Sequence, residues 1–287
     1  MEATLEGRTV LVTRPRAQAE VFVELLRTRG ARVIVAPAIR LIPAPAKAID
    51  AALDRALSGA FAWVIVTSRA GANALLGRLA ARERSPRHLR ARVAAVGDGT
   101  ASALRAGGLR PALVPSSFTT ESLGRAMPPG GGTVLLARAD IAPEGLEEAL
   151  RRKGWEVERV DAYRTRFPGT LPVAARRALA GGTVDVVTFT SASTVRGYLK
   201  AAGPILRHPA MAAPGHRPKV VCIGPVTAAE ARSAGLRVHG VADPHTIKGL
   251  VAAVERVLAG RSRGVRKKDG PAGSSRSGKS AKESVRP

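Results

Sequence analysis

The sequence is poor in aromatic residues, holds one cysteine, and has no long apolar run. Aromatics make up 3% of its 287 residues, so we expect a core built from Val, Leu, Ile and Ala. Cys222 alone excludes an internal disulfide and fits a reducing cytosol. Apolar stretches such as WVIV (63–66) are too short to cross a bilayer, and the first residues lack the apolar segment of a signal peptide. We therefore expect a cytoplasmic protein with no membrane contact.

Acidic residues are also scarce, since 22 Asp and Glu face 46 Lys and Arg, a formal net charge of +24. Residues 261–287 carry +7 of this and almost no apolar residues, which predicts a disordered basic tail. The remaining +17 would attract a polyanion, either nucleic acid or a small polycarboxylate. The basic residues form no single stripe and lack interleaved aromatics for base stacking, so we expect only weak nucleic-acid contact, through the tail.

Standard catalytic sets are missing from the sequence. The five histidines show no metal-ligand spacing, and one cysteine cannot form a thiolate cluster. GDGT (97–100) lacks the third glycine of a dinucleotide fingerprint and has no P-loop lysine. No nucleophile elbow of the G-x-S-x-G type is present. Neither a metal nor a nucleotide is predicted.

Four blocks of the sequence recur in the same order. At offsets of 123 to 127 residues, the pairs are 9–40 with 133–164, 63–76 with 186–199, 95–111 with 222–238, and 116–123 with 243–250. Each block is typical of a short buried strand, a polar turn and an amphipathic helix. Such alternation predicts an α/β fold with parallel sheets flanked by helices. The duplication predicts two similar domains.

The turns after the predicted strands are the candidate binding elements, because ligands of open α/β sheets bind at the carboxyl ends of strands. Helix N-termini at those turns favour anions. The candidates are Arg14, Ser68, Arg69, Thr100, Arg138, Ser191, Ser193, Gly224 and Thr227. The alternative for each Ser and Thr is an ordinary helix N-cap.

Tyr163 interrupts the symmetry of the duplication. At the offset of 124 residues it is paired with Ile39, in DAYR and PAIR respectively. A phenol can hydrogen-bond a leaving hydroxyl and act as a weak general acid. The alternative is a half-buried strand tyrosine with a satisfied hydroxyl.

Together, VLVTRP, WVIVTSRAGANAL, VAAVGDGTASAL, DAYRT, VVTFTSAS and VVCIGPVTAAEARSAG resemble the uroporphyrinogen-III synthase family over about residues 8–258. The resemblance implies closure of hydroxymethylbilane, a linear tetrapyrrole with eight carboxylates, to uroporphyrinogen III, with loss of water and inversion of ring D. It implies no cofactor and no metal. Tyr163 matches the tyrosine thought to assist loss of the hydroxyl, and the matches to cleft-lining positions are Thr100, Ser191, Ser193 and Thr227.

The resemblance also implies how the chain divides. One domain would combine residues 1–36 with 172–260, and the other would span 45–156. Residues 37–44 and 157–171 would form an antiparallel two-stranded linker, with the substrate in a cleft between the domains. We further expect a monomer that receives its substrate by handover from hydroxymethylbilane synthase.

Two other functions remain open at this point. A non-catalytic relative with this fold would sense a tetrapyrrole or another polyanion, and loss of Tyr163 or of the two G-x-x-T turns would favour it. A nucleic-acid binder would depend on the +24 charge and predicts binding that weakens steeply with salt.

Overall fold

The computed structural model describes residues 3–206 and 217–259, and these residues form two five-stranded sheets flanked by helices. The strands are β1 (Thr9–Val12), β2 (Arg32–Val35), β3 (Arg40–Pro43), β4 (Trp63–Val66), β5 (Arg92–Ala95), β6 (Thr133–Ala139), β7 (Glu156–Arg166), β8 (Val186–Phe189), β9 (Lys219–Cys222) and β10 (Val238–Val241). The helices are α1 (Arg16–Arg27), α2 (Ala46–Ser58), α3 (Arg69–Ala81), α4 (Asp98–Ala106), α5 (Thr120–Ala126), α6 (Gly145–Arg151), α7 (Val173–Ala180), α8 (Ala192–Leu206), α9 (Pro225–Ser233) and α10 (Ile247–Ala259). A short 3-10 helix spans Pro86–His88.

Sheet I has the strand order β10-β9-β8-β1-β2, with every pairing parallel. Leu11 of β1 lies opposite Val187 of β8 and Ile34 of β2. Strands β1 and β8 are buried at every position, because helices cover both faces of the sheet. This burial explains why these strands are continuous apolar runs in the sequence.

Sheet II has the order β3-β7-β6-β4-β5. Strands β4 to β7 are parallel, whereas β3 runs antiparallel to β7, with Pro43 opposite Tyr163. The predicted α/β fold with two parallel-dominated sheets flanked by helices is therefore confirmed.

Each sheet combines strands from both sequence repeats. Strands β1 and β2 from the start of the chain join β8, β9 and β10, while β6 and β7 from the second repeat join β4 and β5. When each strand is matched to its counterpart in the other sequence repeat, the order β9-β8-β1-β2 in sheet I corresponds to the order β5-β4-β6-β7 in sheet II. Positions related by the sequence offset therefore occupy equivalent places in the two sheets.

Buried apolar side chains pack against both faces of each sheet. On sheet I, Phe22 of α1 packs in one cluster with Leu250 of α10, and Phe189 packs in the opposite cluster, edge-on to Tyr198 with ring centroids 5.3 Å apart. Within the described ranges, no helix combines the length and apolar character that crossing a membrane requires. The predicted basic tail, 261–287, lies outside the described residues.

Candidate active site

A cavity of about 350 Å³ lies where the carboxyl ends of strands from both sheets meet. Sheet I contributes the turn after β1 and the start of α8, whereas sheet II contributes the start of α3, the loop after β6 and part of β7. Its lining includes Arg14, Ser68, Arg69, Tyr163, Ser191 and Ser193 of the predicted site. Six of the ten residues predicted from the sequence thus line one cavity.

Arg14 and Arg69 bring two cationic side chains to this cavity from opposite sheets. The Nε atom of Arg14 is buried without a hydrogen-bond partner, and in the described part of the chain neither arginine has a carboxylate within ion-pair distance. Burial, and then repulsion from Arg69, lower the pKa of Arg14. An anion placed between them would satisfy both guanidinium groups.

Three long helices begin at the cavity. Helices α1, α3 and α8 have 12, 13 and 15 residues, and their N-termini carry partial positive charge. Ser68 caps α3 by accepting a hydrogen bond from the Gly71 amide at 2.9 Å. Ser191 accepts one from the Thr194 amide at 3.2 Å, and its hydroxyl lies 2.9 Å from that of Ser193. Ser68 and Ser191 are therefore both helix N-caps and cavity-lining hydroxyls, so the two interpretations from the sequence are compatible.

Tyr163 reaches the cavity because strand β7 contains a β-bulge. The register between β6 and β7 shifts after Arg138, which lies opposite Asp161, so that Ala139 lies opposite Tyr163. Val160 is buried before the bulge, and Ala162, the residue without a partner on β6, is also buried. A bulge reverses which face the following side chains point to, and it thereby directs Tyr163 to the cavity.

The Tyr163 hydroxyl accepts a hydrogen bond from the Ser68 hydroxyl at 3.1 Å. Burial raises the pKa of Tyr163, with a further rise from Asp140, and the Ser68 hydrogen bond and the charge of Arg138 act in the opposite direction. The net effect keeps the phenol protonated at neutral pH. A protonated phenol at the wall of a cavity can donate a proton to a leaving group.

Arg138 does not lie where we predicted. Its side chain is 3% exposed and donates hydrogen bonds to Glu147 at 2.6 Å and to the Pro143 carbonyl at 3.0 Å. Because its charge is neutralised by a buried carboxylate and it is absent from the cavity lining, Arg138 is not among the residues that the structure brings to the cavity. The strand-end argument did not take into account the helix that follows the strand, which supplies Glu147.

Thr100, Gly224 and Thr227 are likewise absent from the cavity lining. Thr100 and Thr227 are 4% and 5% exposed in the first turns of α4 and α9, where they pack into the fold. The start of α4 is tied to the cavity rim through Arg69, whose Nε donates to the Gly99 carbonyl at 3.2 Å. Gly224 precedes α9 and lies against His245.

Sequence reasoning missed five polar residues of the cavity, namely Gln18, Thr165, Thr190, Thr194 and Arg196. Gln18 lies in the first turn of α1 and Arg196 in the second turn of α8, three residues after Ser193, so helical spacing from Ser193 would have found Arg196. Arg196 also forms an ion pair with Glu230 at 3.0 Å. In residues 3–206 and 217–259 no three His, Cys, Asp or Glu side chains are grouped as a metal site would require.

Comparison with known proteins gives consistent matches. A family model described as uroporphyrinogen-III synthase HemD matches residues 20–252. The uroporphyrinogen-III synthase of Synechococcus elongatus is 32% identical over 260 residues, covering 89% of this chain and 97% of that protein. The porphyrin biosynthesis protein HemD of Ruminiclostridium josui is 29% identical, covering 88% of this chain and 49% of that protein. The crystal structure of a mutant uroporphyrinogen III synthase from Thermus thermophilus shares the fold, with a TM-score of 0.64 at 24% identity over 88% of this chain and 100% of that chain.

Proposed function

The chain belongs to the uroporphyrinogen-III synthase family, as its sequence motifs indicated, and we propose that it performs the family reaction in the cavity between sheets I and II. It is an enzyme of tetrapyrrole biosynthesis that closes hydroxymethylbilane to uroporphyrinogen III with loss of water. The observation that carries the proposal is the convergence of Arg14, Arg69 and Tyr163 on one cavity. The residue roles that follow are part of the proposal.

Arg14 and Arg69 hold carboxylates of the substrate. Arg14 is pre-positioned by burial and retains a free Nε donor, so a carboxylate that reaches it replaces an unsatisfied donor with a charge-assisted hydrogen bond. The N-termini of α1, α3 and α8 add positive potential at the same place. A substrate with eight carboxylates suits this arrangement and suits the excess of basic residues.

Tyr163 donates a proton to the leaving hydroxyl of the bilane. The C–O bond then breaks, water departs, and the phenolate left on Tyr163 is stabilised by the Ser68 hydrogen bond and by the nearby charge of Arg138. The electron-poor carbon that forms is attacked by ring D at its substituted α carbon, which gives a spiro-pyrrolenine. The bond from that α carbon to the methylene bridge of ring C then breaks, and the released methylene carbon bonds to the free α carbon of ring D, so that the ring is inverted. The proton lost from that free α carbon in rearomatisation restores Tyr163.

The walls of the cavity direct which isomer forms. The reactive bilane closes without help to the symmetric isomer I, so the enzyme must hold the flexible chain in the geometry that inverts ring D. Positioning alone can lower a barrier by several kcal/mol, about 7–11 kcal/mol in well-oriented intramolecular reactions. Ser191, Ser193, Gln18 and the loop after β6 serve this purpose.

The two sheets support a proposal for how the chain divides into domains. We propose that 1–36 with 172–260 form one domain around sheet I, and that 45–156 form the other around sheet II. Residues 37–44 and 157–171 would then connect them, with the antiparallel pairing of β3 and β7 as the linker. Cytoplasmic location, a monomeric state and handover from hydroxymethylbilane synthase stay predictions.

A coupled assay tests the proposal. Hydroxymethylbilane is generated in situ, the porphyrinogens are oxidised, and isomers I and III are separated by chromatography. We expect isomer III to predominate only when this protein is present, and to give way to isomer I when both Arg14 and Tyr163 are replaced. Isomer III formation that survives both replacements would remove the cavity from the mechanism. A well-folded protein that yields only isomer I would favour the sensor alternative.

A further inference from the structure

Arg138 occupies the position in sheet II that Arg14 occupies in sheet I. The offset of 124 residues relates the two arginines. Arg14 follows β1, and Arg138 is the second-last residue of β6, the equivalent strand. The same offset relates Glu147 to Val23 and Arg159 to Val35. The half that carries Tyr163 therefore has a polar network, in which Glu147 and Arg159 stand where the other half has valines.

This network joins three side chains from three elements. Glu147 of α6 is 2% exposed and binds Arg138 of β6 through Oε2 at 2.6 Å and Arg159 of β7 through Oε1 at 3.3 Å. Arg138 is 3% exposed and Arg159 is 25% exposed. One buried carboxylate thus holds the side chains of two arginines in defined orientations.

The two arginines also bind the loop at residues 139–143, although the Nε atom of Arg138 is buried without a hydrogen-bond partner. Arg159 donates to the carbonyls of Ala139, Asp140 and Ala142 at 2.9 to 3.2 Å, and Arg138 donates to the carbonyl of Pro143 at 3.0 Å. Four of the five carbonyls in this loop are therefore bound by the arginines. Side chains, and not regular secondary structure, set the backbone conformation of the loop.

The loop in turn forms the cavity wall beside Tyr163. Ala139, Ile141, Ala142 and Pro143 line the cavity, and the Asp140 amide donates to the Tyr163 carbonyl at 3.2 Å. Asp140 also binds the Thr165 amide at 2.8 Å through its carboxylate. Any movement of the loop would therefore be transmitted to the strand segment that carries the phenol.

We propose that Arg138, Glu147 and Arg159 are a positioning unit that fixes the cavity wall next to Tyr163 and so keeps ring closure on the route to isomer III. The inference rests on the proposed function, because it assigns the unit a role in that reaction. None of the three residues contacts the substrate. They act through the 139–143 loop and through Tyr163.

The variant that tests this is Arg159→Gln, because Arg159 is the most exposed member and its loss leaves the buried Arg138–Glu147 pair intact. The matched control is Glu158→Gln. Glu158 is the preceding residue of β7, and it forms its ion pair with Arg55 of α2 on the other side of the strand. Both variants remove one charge from the same strand, but only Arg159→Gln releases the loop.

The readout is the fraction of isomer I at saturating enzyme, measured together with kcat and KM. For Arg159→Gln we expect kcat to fall by about 10- to 100-fold, the range that a small misplacement of reacting groups can cost, with KM unchanged. We expect isomer I to persist when more enzyme is added, because an imperfectly held intermediate closes by the unassisted route. Faster hydrogen exchange at the Asp140 amide should accompany this loss, and Glu158→Gln should behave as the wild type in every measurement.

The outcomes separate the two proposals. If the wild type makes no isomer III, the proposed function fails whatever the variants do. If the wild type makes isomer III and Arg159→Gln restores pure isomer III at high enzyme concentration, the unit is only structural and the inference is wrong. An equal loss in Glu158→Gln would also overturn it, because the effect would then belong to β7 as a whole.

Discussion

Arg14 and Arg138 are the same residue type at equivalent places in two similar sheets, yet they differ in what surrounds them. Both have a buried Nε without a hydrogen-bond partner, but Arg14 lines the cavity and has no carboxylate partner among the described residues, whereas Arg138 is bonded to a carboxylate that is itself 2% exposed. The difference arises from the following helix, which supplies Val23 in sheet I and Glu147 in sheet II.

The comparison shows how equivalent positions in the two halves of a duplicated fold can have different functions. In sheet I the strand-end arginine stays available and can bind a ligand. In sheet II the equivalent arginine is neutralised and holds a loop, and Tyr163, which replaces an equivalent isoleucine, provides the reactive group. Because Glu147 lies between Arg138 and Arg159, the second half holds a polar network in which the buried charge of Arg138 is compensated.

Removal of the carboxylate that distinguishes Arg138 from Arg14 should have the largest effect, and that effect is on stability. Glu147→Leu should lower the free energy of unfolding by about 3–5 kcal/mol, because it leaves Arg138 buried without a counter-charge. The double variant Arg138→Met/Glu147→Leu removes both charges and should recover most of that loss. Urea denaturation of the two variants checks the prediction. A double variant as unstable as the single one would mean that packing, and not charge, is what Glu147 provides.

The next largest effect is on turnover. Tyr163→Phe should reduce kcat by about 10²-fold or less, the low end for a general acid, because only the phenol hydroxyl is removed. The matched control is Tyr198→Phe, which removes the only other phenol hydroxyl of the sequence, in the core of sheet I. We expect the control to retain wild-type kcat in the coupled assay. Equal rates for Tyr163→Phe and the wild type would exclude Tyr163 as the proton donor.

The sequence predicts the fold better than the site. The strands and the duplication are visible because parallel strands buried on both faces are continuous apolar runs. The burial of Arg138 could not be read from β6 alone, since it depends on Glu147 and Arg159 from two other elements. The substitution of Val23 and Val35 by charged residues at the repeat offset was the available signal. Contacts of Thr100 and Thr227 with the substrate stay predictions, because a turn at the end of a strand does not specify which side chain points outwards.

A smaller effect is expected on substrate binding. Arg14→Gln should raise KM by about tenfold, since a charge-assisted hydrogen bond contributes about 1.5–3 kcal/mol, and kcat should change less. Arg16→Gln is the matched control, because Arg16 lies two residues after Arg14, is exposed in the first turn of α1, and lies outside the cavity lining. KM measured at two salt concentrations should respond less to salt in Arg14→Gln than in Arg16→Gln. Identical KM values for the two variants would contradict a role for Arg14 in binding.

The smallest effect concerns the equivalent serines Ser68 and Ser191. Both cap helices, but only Ser68 donates a hydrogen bond to the Tyr163 hydroxyl. That bond favours the phenolate and lowers the pKa of Tyr163 against the larger rise caused by burial. Ser68→Ala should therefore raise the pKa of Tyr163 further, and activity that needs the protonated phenol should persist to higher pH. Ser191→Ala should cost about 1 kcal/mol of helix capping and leave that pKa unchanged.

The ionisation can be observed directly because the sequence has two tyrosines. In a Tyr198→Phe background Tyr163 is the only phenol, so its phenolate absorbance can be titrated at alkaline pH in Ser68→Ala and in Ser191→Ala. A shift to higher pH in Ser68→Ala alone would show that the two halves, similar in backbone, differ in how their caps act on the cavity. Equal titrations would mean that Ser68, like Ser191, serves only as a cap, and that the asymmetry of the site resides in Tyr163 and the network around Glu147.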